Sequence, residues 1–248
     1  MHLFEEPGAL EQVTRLTVDW LDENIKAPSL PFFSRRTAAE QLAKRMKGRK
    51  FVDPIVVAIP RGGVVTGFTL AKELHSELAL IQARKLRHPF SPEWAVGAIC
   101  ENEEPVLTGE GVRLQNESPT SLKEEIKKEK REIERRSIKF KRFTSAGKIS
   151  NRTVILTDDG IATGSTILAA AKWIRRQKPG DLIIAIPLAP QDSLRHLQEI
   201  ADEVVCLASP TPFFSVGEFY REFPQVEDEE CGRLLETFSK YGYSKAHF

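Results

Sequence analysis

The sequence predicts an α/β protein whose mostly parallel sheet is flanked by helices, and three observations predict it. Four short apolar runs, Ile55 to Ile59, Thr153 to Thr157, Leu182 to Ile186 and Glu203 to Leu207, are rich in β-branched residues and bounded by turn residues. Their apolar residues are continuous rather than alternating with polar ones, as in strands covered on both faces. Helical patterns lie between several of them, so strand, helix, strand, helix and strand follow in order from Thr153 to Leu207.

Taken in chain order, Leu10, Val13, Trp20 and Leu21 fit one face of a helix near the start. The first strand, Ile55 to Ile59, leads into a helix over Val65 to Leu74, and LALIQ at Leu78 to Gln82 reads as a short strand. Ala95 to Cys100 and Pro105 to Leu107 flank the turn-like ENEE as a hairpin. Ser121 and Glu124 have the spacing of a capping box ahead of a charged helix with a narrow apolar stripe of Leu122, Ile126 and Ile133. A helix over Thr166 to Gln177 stops at KPGD, with Arg175, Arg176 and Lys178 suited to its C-terminal dipole, and Asp192 is placed to cap a further helix running to about Ala201. Both chain ends, 1–35 and the aromatic-rich 208–248, are expected to pack over one edge of the 36–207 core as a hood.

Composition narrows the function classes. The 248 residues are 41% hydrophobic and 29% charged, as in a soluble globular protein, and the net charge of +1 gives no overall attraction to nucleic acid or anionic lipid. Cys100, Cys206 and Cys231 are odd in number and form no CxxC, which argues against a disulfide framework or a thiolate metal site. The acidic start lacks the pattern of a signal peptide, and no apolar run approaches the ~20 residues of a membrane span. A cytoplasmic protein without a membrane partner is expected. The helix from Lys123 to Arg136 carries seven basic against five acidic residues, the composition of a solvated helix, so nucleic acid is a minor reading.

The chemistry concentrates at VILTDDGIATGSTI, Val154 to Ile167. The strand delivers Asp158 and Asp159 to its C-terminal end, where ligands bind in open α/β sheets. Gly160, Gly164 and Ser165 then permit a turn of inward N–H groups at a helix N-terminus, a cradle for phosphate. The spacing fits neither G-x-x-x-x-G-K-[ST] nor G-x-G-x-x-G, which points to a phosphate monoester. Two carboxylates beside a phosphate cradle suit a ligand with hydroxyls next to a phosphate, such as a ribose 5-phosphate, and would favour Mg²⁺ shared with the ligand's own phosphates. A second glycine-rich turn, IPRGG, places Arg61, Gly62 and Gly63 at the end of the first strand as another anion nest.

DDGIATGST behind VILT resembles the 5-phosphoribosyl-1-pyrophosphate (PRPP) binding motif of the type I phosphoribosyltransferases. The resemblance implies a parallel sheet with a small hood, a core spanning roughly Arg36 to Leu207, and displacement of pyrophosphate from C1 of the ribose by a nitrogen nucleophile. It implies that Asp158 and Asp159 hold the ribose hydroxyls and that Gly160 and Ala162, Thr163, Gly164, Ser165 and Thr166 hold the 5-phosphate. Arg61 to Gly63 resemble the pyrophosphate loop, and Arg84 and Lys85 resemble the PRPP-binding pair of orotate-type members. Arg87 and His88 open the segment that matches the family's flexible catalytic loop, which here has no lysine between Leu86 and Cys100. PRGG, RKLRHPFSPEWAVGAI and PFFSVGEFYREFPQV together look similar to predicted phosphoribosyltransferases of unassigned substrate. Phe213, Phe214, Phe219, Tyr220 and Phe223 offer either a stacking surface for a flat acceptor or hood core. The expected function is Mg²⁺-dependent phosphoribosyl transfer to a nucleobase or similar acceptor, with a non-catalytic PRPP or nucleotide sensor as the alternative. The resemblance is also compatible with a homodimer.

Overall fold

The computed structural model describes residues 28–101, 104–145 and 148–241. The apolar helix face read at Leu10 to Leu21 lies outside them. Five parallel strands form the main sheet: β1 (Ile55–Ala58), β2 (Glu77–Leu80), β6 (Thr153–Thr157), β7 (Asp181–Leu188) and β8 (Glu203–Ala208), in the order β2-β1-β6-β7-β8. Consecutive residues of each strand point to opposite faces, and here both faces are dry. Val56, Ala58, Ile155 and Ile183 pack with α1 (Arg35–Met46), α2 (Gly62–Glu73) and α7 (Asp228–Lys240). Ile55, Val57, Val154 and Ile184 pack on the other side with α5 (Ser165–Arg176) and α6 (Gln191–Gln198). Each fully buried aliphatic side chain contributes about 1.5–3 kcal/mol, so this two-sided packing explains the uninterrupted apolar runs.

A second, antiparallel sheet, β3 (Ala83–His88), β4 (Ser91–Cys100) and β5 (Val106–Leu107), stands beside the first. Its core of Leu86, Val96 and Ile99 is covered by Leu114 of α3 (Gly109–Glu117) and by Leu122 and Ile133 of α4 (Pro119–Lys139). The hairpin around residue 101 matches the expectation. The segment before it does not: β2 ends at Leu80, and Arg84 to His88 form a separate strand paired with β4 rather than the end of LALIQ followed by a loop. The irregular register between Leu86 and His88 accommodates this charged strand on its partner.

Two caps also differ from expectation. Ser118, not Ser121, stands at the N-cap of α4, with Pro119 at the first helical position, where its missing N–H costs nothing; Ser121 is inside the helix. At α6 the N-cap is Pro190, and Asp192 instead lies in the first turn and pairs with Arg195. Among the described residues no helix is long and apolar enough to cross a membrane.

Candidate functional site

Strands β1 and β6 are neighbours in parallel register, with Ala58 opposite Thr157, so the loops that follow them emerge side by side at the C-terminal edge of the sheet. Their approach is close enough to require glycine. A Cβ on Gly63 would lie 2.9 Å from Asp158 Oδ1, and one on Gly62 would lie 2.5 Å from the Asp159 carboxyl carbon and closer still to Oδ2. The two glycine-rich motifs are thus one structure. The cis peptide in this loop is Pro60–Arg61, one bond before the Arg61–Gly62 bond.

The glycine turn into a helix forms where the sequence suggests it. Gly164 adopts φ 75°, a left-handed conformation that lets the chain turn into α5, and no side chain caps the helix. Its first intrahelical bond runs from Leu168 N to Gly164 O, so the preceding N–H groups have no partner within the helix. Thr163 Oγ1 and Ser165 Oγ lie 3.5 Å apart beside them. A small cavity of about 170 Å³ opens here, lined by Lys85, Asp158, Gly160, Thr163, Gly164 and Thr166, with Ala162 and the tail residue Val216 also on its wall.

The two aspartates do different things. Asp158 lines the cavity and accepts from the Asp159 N–H at 2.8 Å. Asp159 is turned away beneath Gly62, where its Oδ2 accepts from Arg35 Nε at 2.6 Å. Burial raises both carboxyls above the ordinary carboxylate range; for Asp158 the neighbouring charge of Asp159 adds to it, whereas for Asp159 the Arg35 guanidinium opposes it. The sequence predicts that both serve one ligand; in this arrangement Asp158 lines the cavity and Asp159 is paired with Arg35 instead.

The four residues of the basic cluster also separate, because successive residues of a strand point to opposite faces. Lys85 reaches the cavity, and burial together with Arg87 lowers its pKa. Arg84 turns to the other side and pairs at 2.7 Å with Glu129, which α4 buries. Arg87 is exposed near Lys85, with its N–H donating to Glu125 at 3.2 Å, and His88 Nδ1 accepts from the Phe90 N–H at 3.2 Å within the hairpin turn. Arg61 is held by the tail, with Nη1 2.6 Å from Glu227 Oε2.

Nothing in the sequence pattern singled out Arg35, Val216 or Glu227. Arg35 and Asp159 are 124 residues apart, and only the fold joins them. Of the five tail aromatics, Phe213 packs on Phe219 and Tyr220 stacks on Phe223, both at 4.9 Å, while Phe214 remains 78% exposed. Among the described residues no group of three or more His, Cys, Asp or Glu comes together that could hold a metal ion.

A parallel sheet carries, at its C-terminal edge, a glycine turn into a helix, an acid pair and a lysine that share one cavity. The chain belongs to the phosphoribosyl transferase domain family, whose profile matches residues 32–222. It is 37% identical over 205 residues, 83% of its length and 46% of theirs, to provisionally named phosphoribosyl transferases from two strains of Mycobacterium tuberculosis. It thus spans about half the length of the curated relatives it matches. A crystal structure of the Thermus thermophilus protein TT1426 superposes with a TM-score of 0.70 at 32% identity, covering 84% of this chain and 99% of that one.

Proposed function

We propose that this domain transfers the phosphoribosyl group of PRPP to a nitrogen acceptor and releases pyrophosphate. The observation that carries this reading is the convergence, in one cavity, of the α5 phosphate cradle, the Asp158 carboxylate and Lys85. In the reaction a bond forms between the acceptor nitrogen and C1 of the ribose while the bond from C1 to pyrophosphate oxygen breaks. The electron pair leaves with pyrophosphate, and the acceptor's displaced proton passes to water. Thr163, Ser165, Thr166 and the free N–H groups of α5 hold the 5-phosphate. Asp158 accepts from ribose hydroxyls, and its negative charge favours the developing oxocarbenium. Lys85, on the wall of the same cavity, supplies a cation for the charge that grows on the leaving pyrophosphate.

The family implies Mg²⁺. The donor set does not form a resident metal centre, since Asp159 is taken by Arg35 and no larger group assembles among the described residues. It fits an ion carried in on the ligand's phosphate oxygens, with Asp158 as a carboxylate neighbour. Such an ion supplies charge neutralisation on the diphosphate.

A screen of nucleobases and related heterocycles with PRPP and Mg²⁺, following pyrophosphate release, tests the reading. Release with at least one acceptor supports transfer. A sensor is the second reading, favoured by the intramolecular engagement of both Arg61 and Asp159. It is supported instead if PRPP or a nucleotide binds tightly in calorimetry and no acceptor releases pyrophosphate, and absence of binding by both ligands removes both readings.

A further inference from the structure

We propose that Arg35 is a positioning residue for the acid pair, and that it acts by fastening the C-terminal strap, residues 216–227, to Asp159. The proposal rests on the PRPP reading for its effect on ligand, and on geometry for the fastening itself.

Arg35 opens α1 directly after a capping box in which Thr37 N donates to Ser34 Oγ and Ser34 N donates to Thr37 Oγ1. That cap fixes where the helix starts and so where the guanidinium leaves it. The residue is 8% exposed, and three contacts hold its head. Nε donates to Asp159 Oδ2 at 2.6 Å, Nη1 donates to the Pro224 carbonyl at 2.7 Å, and the guanidinium carbon lies 3.6 Å above the centre of the Phe223 ring. The strap grips Asp159 a second time, because Tyr220 donates its hydroxyl to the Asp159 carbonyl at 2.6 Å while its ring stacks on Phe223. Main-chain bonds from Arg221 N to Phe32 O and from Glu222 N to Phe33 O hold the same turn against the residues before α1. Further along the strap, Val216 packs on Gly160 and Glu227 pairs with Arg61. The strap therefore touches both glycine-rich loops, and Arg35 is the side chain that ties it to the carboxylate.

Two features make this more than a packing device. Replacing a buried ion pair with apolar groups is often neutral or stabilising, so stability alone gives little reason for the pair to be ionic. Two adjacent carboxylates also repel each other, and a cation that draws one of them aside decides which is left facing the ligand. Arg35 draws Asp159 beneath Gly62 and leaves Asp158 on the cavity wall. Only a planar fork able to donate along its edge and stack on its face satisfies Asp159, Pro224 and Phe223 together, which a lysine cannot do.

The test compares Arg35→Met, Arg35→Lys, Asp159→Asn and the double variant Arg35→Met/Asp159→Asn by PRPP calorimetry with Mg²⁺, thermal unfolding and amide exchange. Arg35→Met is expected to weaken PRPP binding by at least about tenfold, and Arg35→Lys to recover part of that loss. In the Asp159→Asn background, Arg35→Met should cost less than about threefold more, because the residue acts through that carboxylate. The double variant should regain thermal stability, having no uncompensated buried charge, without regaining affinity. Equal losses in both backgrounds, or affinity that returns with stability, would overturn the positioning role. The fastening has its own readout. The amides of Arg221 and Glu222 should exchange at least about tenfold faster in Arg35→Met than in the native chain, with Arg35→Lys between them, and unchanged exchange sinks the proposal even if the native chain binds no PRPP.

Discussion

The two glycine-rich loops start from similar sequence material and end in different states. After β6, the turn at Ala162 to Thr166 opens onto a cavity, and among the described residues no side chain caps its helix N-terminus and no acidic side chain is bonded to it. After β1, the turn at Arg61 to Gly63 is already occupied by the protein's own anions: Glu227 on Arg61, Asp159 under Gly62 and Asp158 beside Gly63. One is open at its helix N-terminus. In the other, carboxylates stand where ligand oxygens are proposed to bind, so a diphosphate entering there has to displace or rearrange them. That contrast suits a donor whose 5-phosphate docks first and whose pyrophosphate end engages afterwards.

The largest effect is expected from the acid pair, where identical substitutions should act in opposite ways. Asp159→Asn leaves the Arg35 guanidinium buried without its counter-charge and should cost about 3–5 kcal/mol in urea unfolding. Asp158→Asn removes one of two repelling carboxylates, so stability should hold or rise while PRPP binding in calorimetry falls. Equal destabilisation by both would erase the distinction drawn between them. The same repulsion gives stability a pH dependence of definite sign. The Asp158 carboxyl is raised on folding, so the stability linked to its proton is fully present below the ordinary carboxylate pKa and is lost as pH rises through the raised value. Asp158→Asn should abolish that decline in pH-resolved unfolding.

Next in size is Gly62→Ala. The added methyl would overlap the Asp159 carboxylate at Oδ2, the oxygen that Arg35 already holds, so the carboxylate cannot retreat without giving up that bond. Overpacking of this kind costs about 1–3 kcal/mol, and PRPP binding should fall with it as the two loops move apart. The matched change Gly164→Ala meets Ser193 at 3.3 Å and Ile161 at an ordinary 3.7 Å, and is opposed mainly by its φ of 75°. It should cost about 1 kcal/mol and disturb the phosphate cradle alone.

What the sequence made legible follows from the range of the interactions involved. The parallel strands are written in contiguous residues such as Val154 to Leu156, and the phosphate turn needs only Gly160 to Thr166, so a short window contains the whole signal. The basic strand β3 was hidden because charge on a strand reads as a loop unless its partners are known, and Glu129, which neutralises Arg84, lies 45 residues away. The α4 start was legible but misread: Ser118 followed by Pro119 is itself a helix-start signature, and Ser121 with Glu124 offered a rival one a turn later. Arg35 left no local trace, since its role depends on a tail turn and a strand end that only the folded sheet brings together.

The smallest expected effect is at the occupied loop, and it has the opposite sign to the others. The Arg61 and Glu227 side chains are 27% and 55% exposed, so their pair is worth less than about 1 kcal/mol and Glu227→Gln should leave unfolding almost unchanged. The substitution frees a guanidinium beside an anion nest, so affinity for inorganic pyrophosphate should increase a few-fold, by about 1 kcal/mol or less. Salt separates this from a general gain in positive potential. At high ionic strength the exposed pair is already screened, so the advantage of Glu227→Gln over the native chain should shrink as salt rises. If the variant binds pyrophosphate no better than the native chain at low salt, Glu227 does not compete for Arg61, and the two loops differ in shape alone.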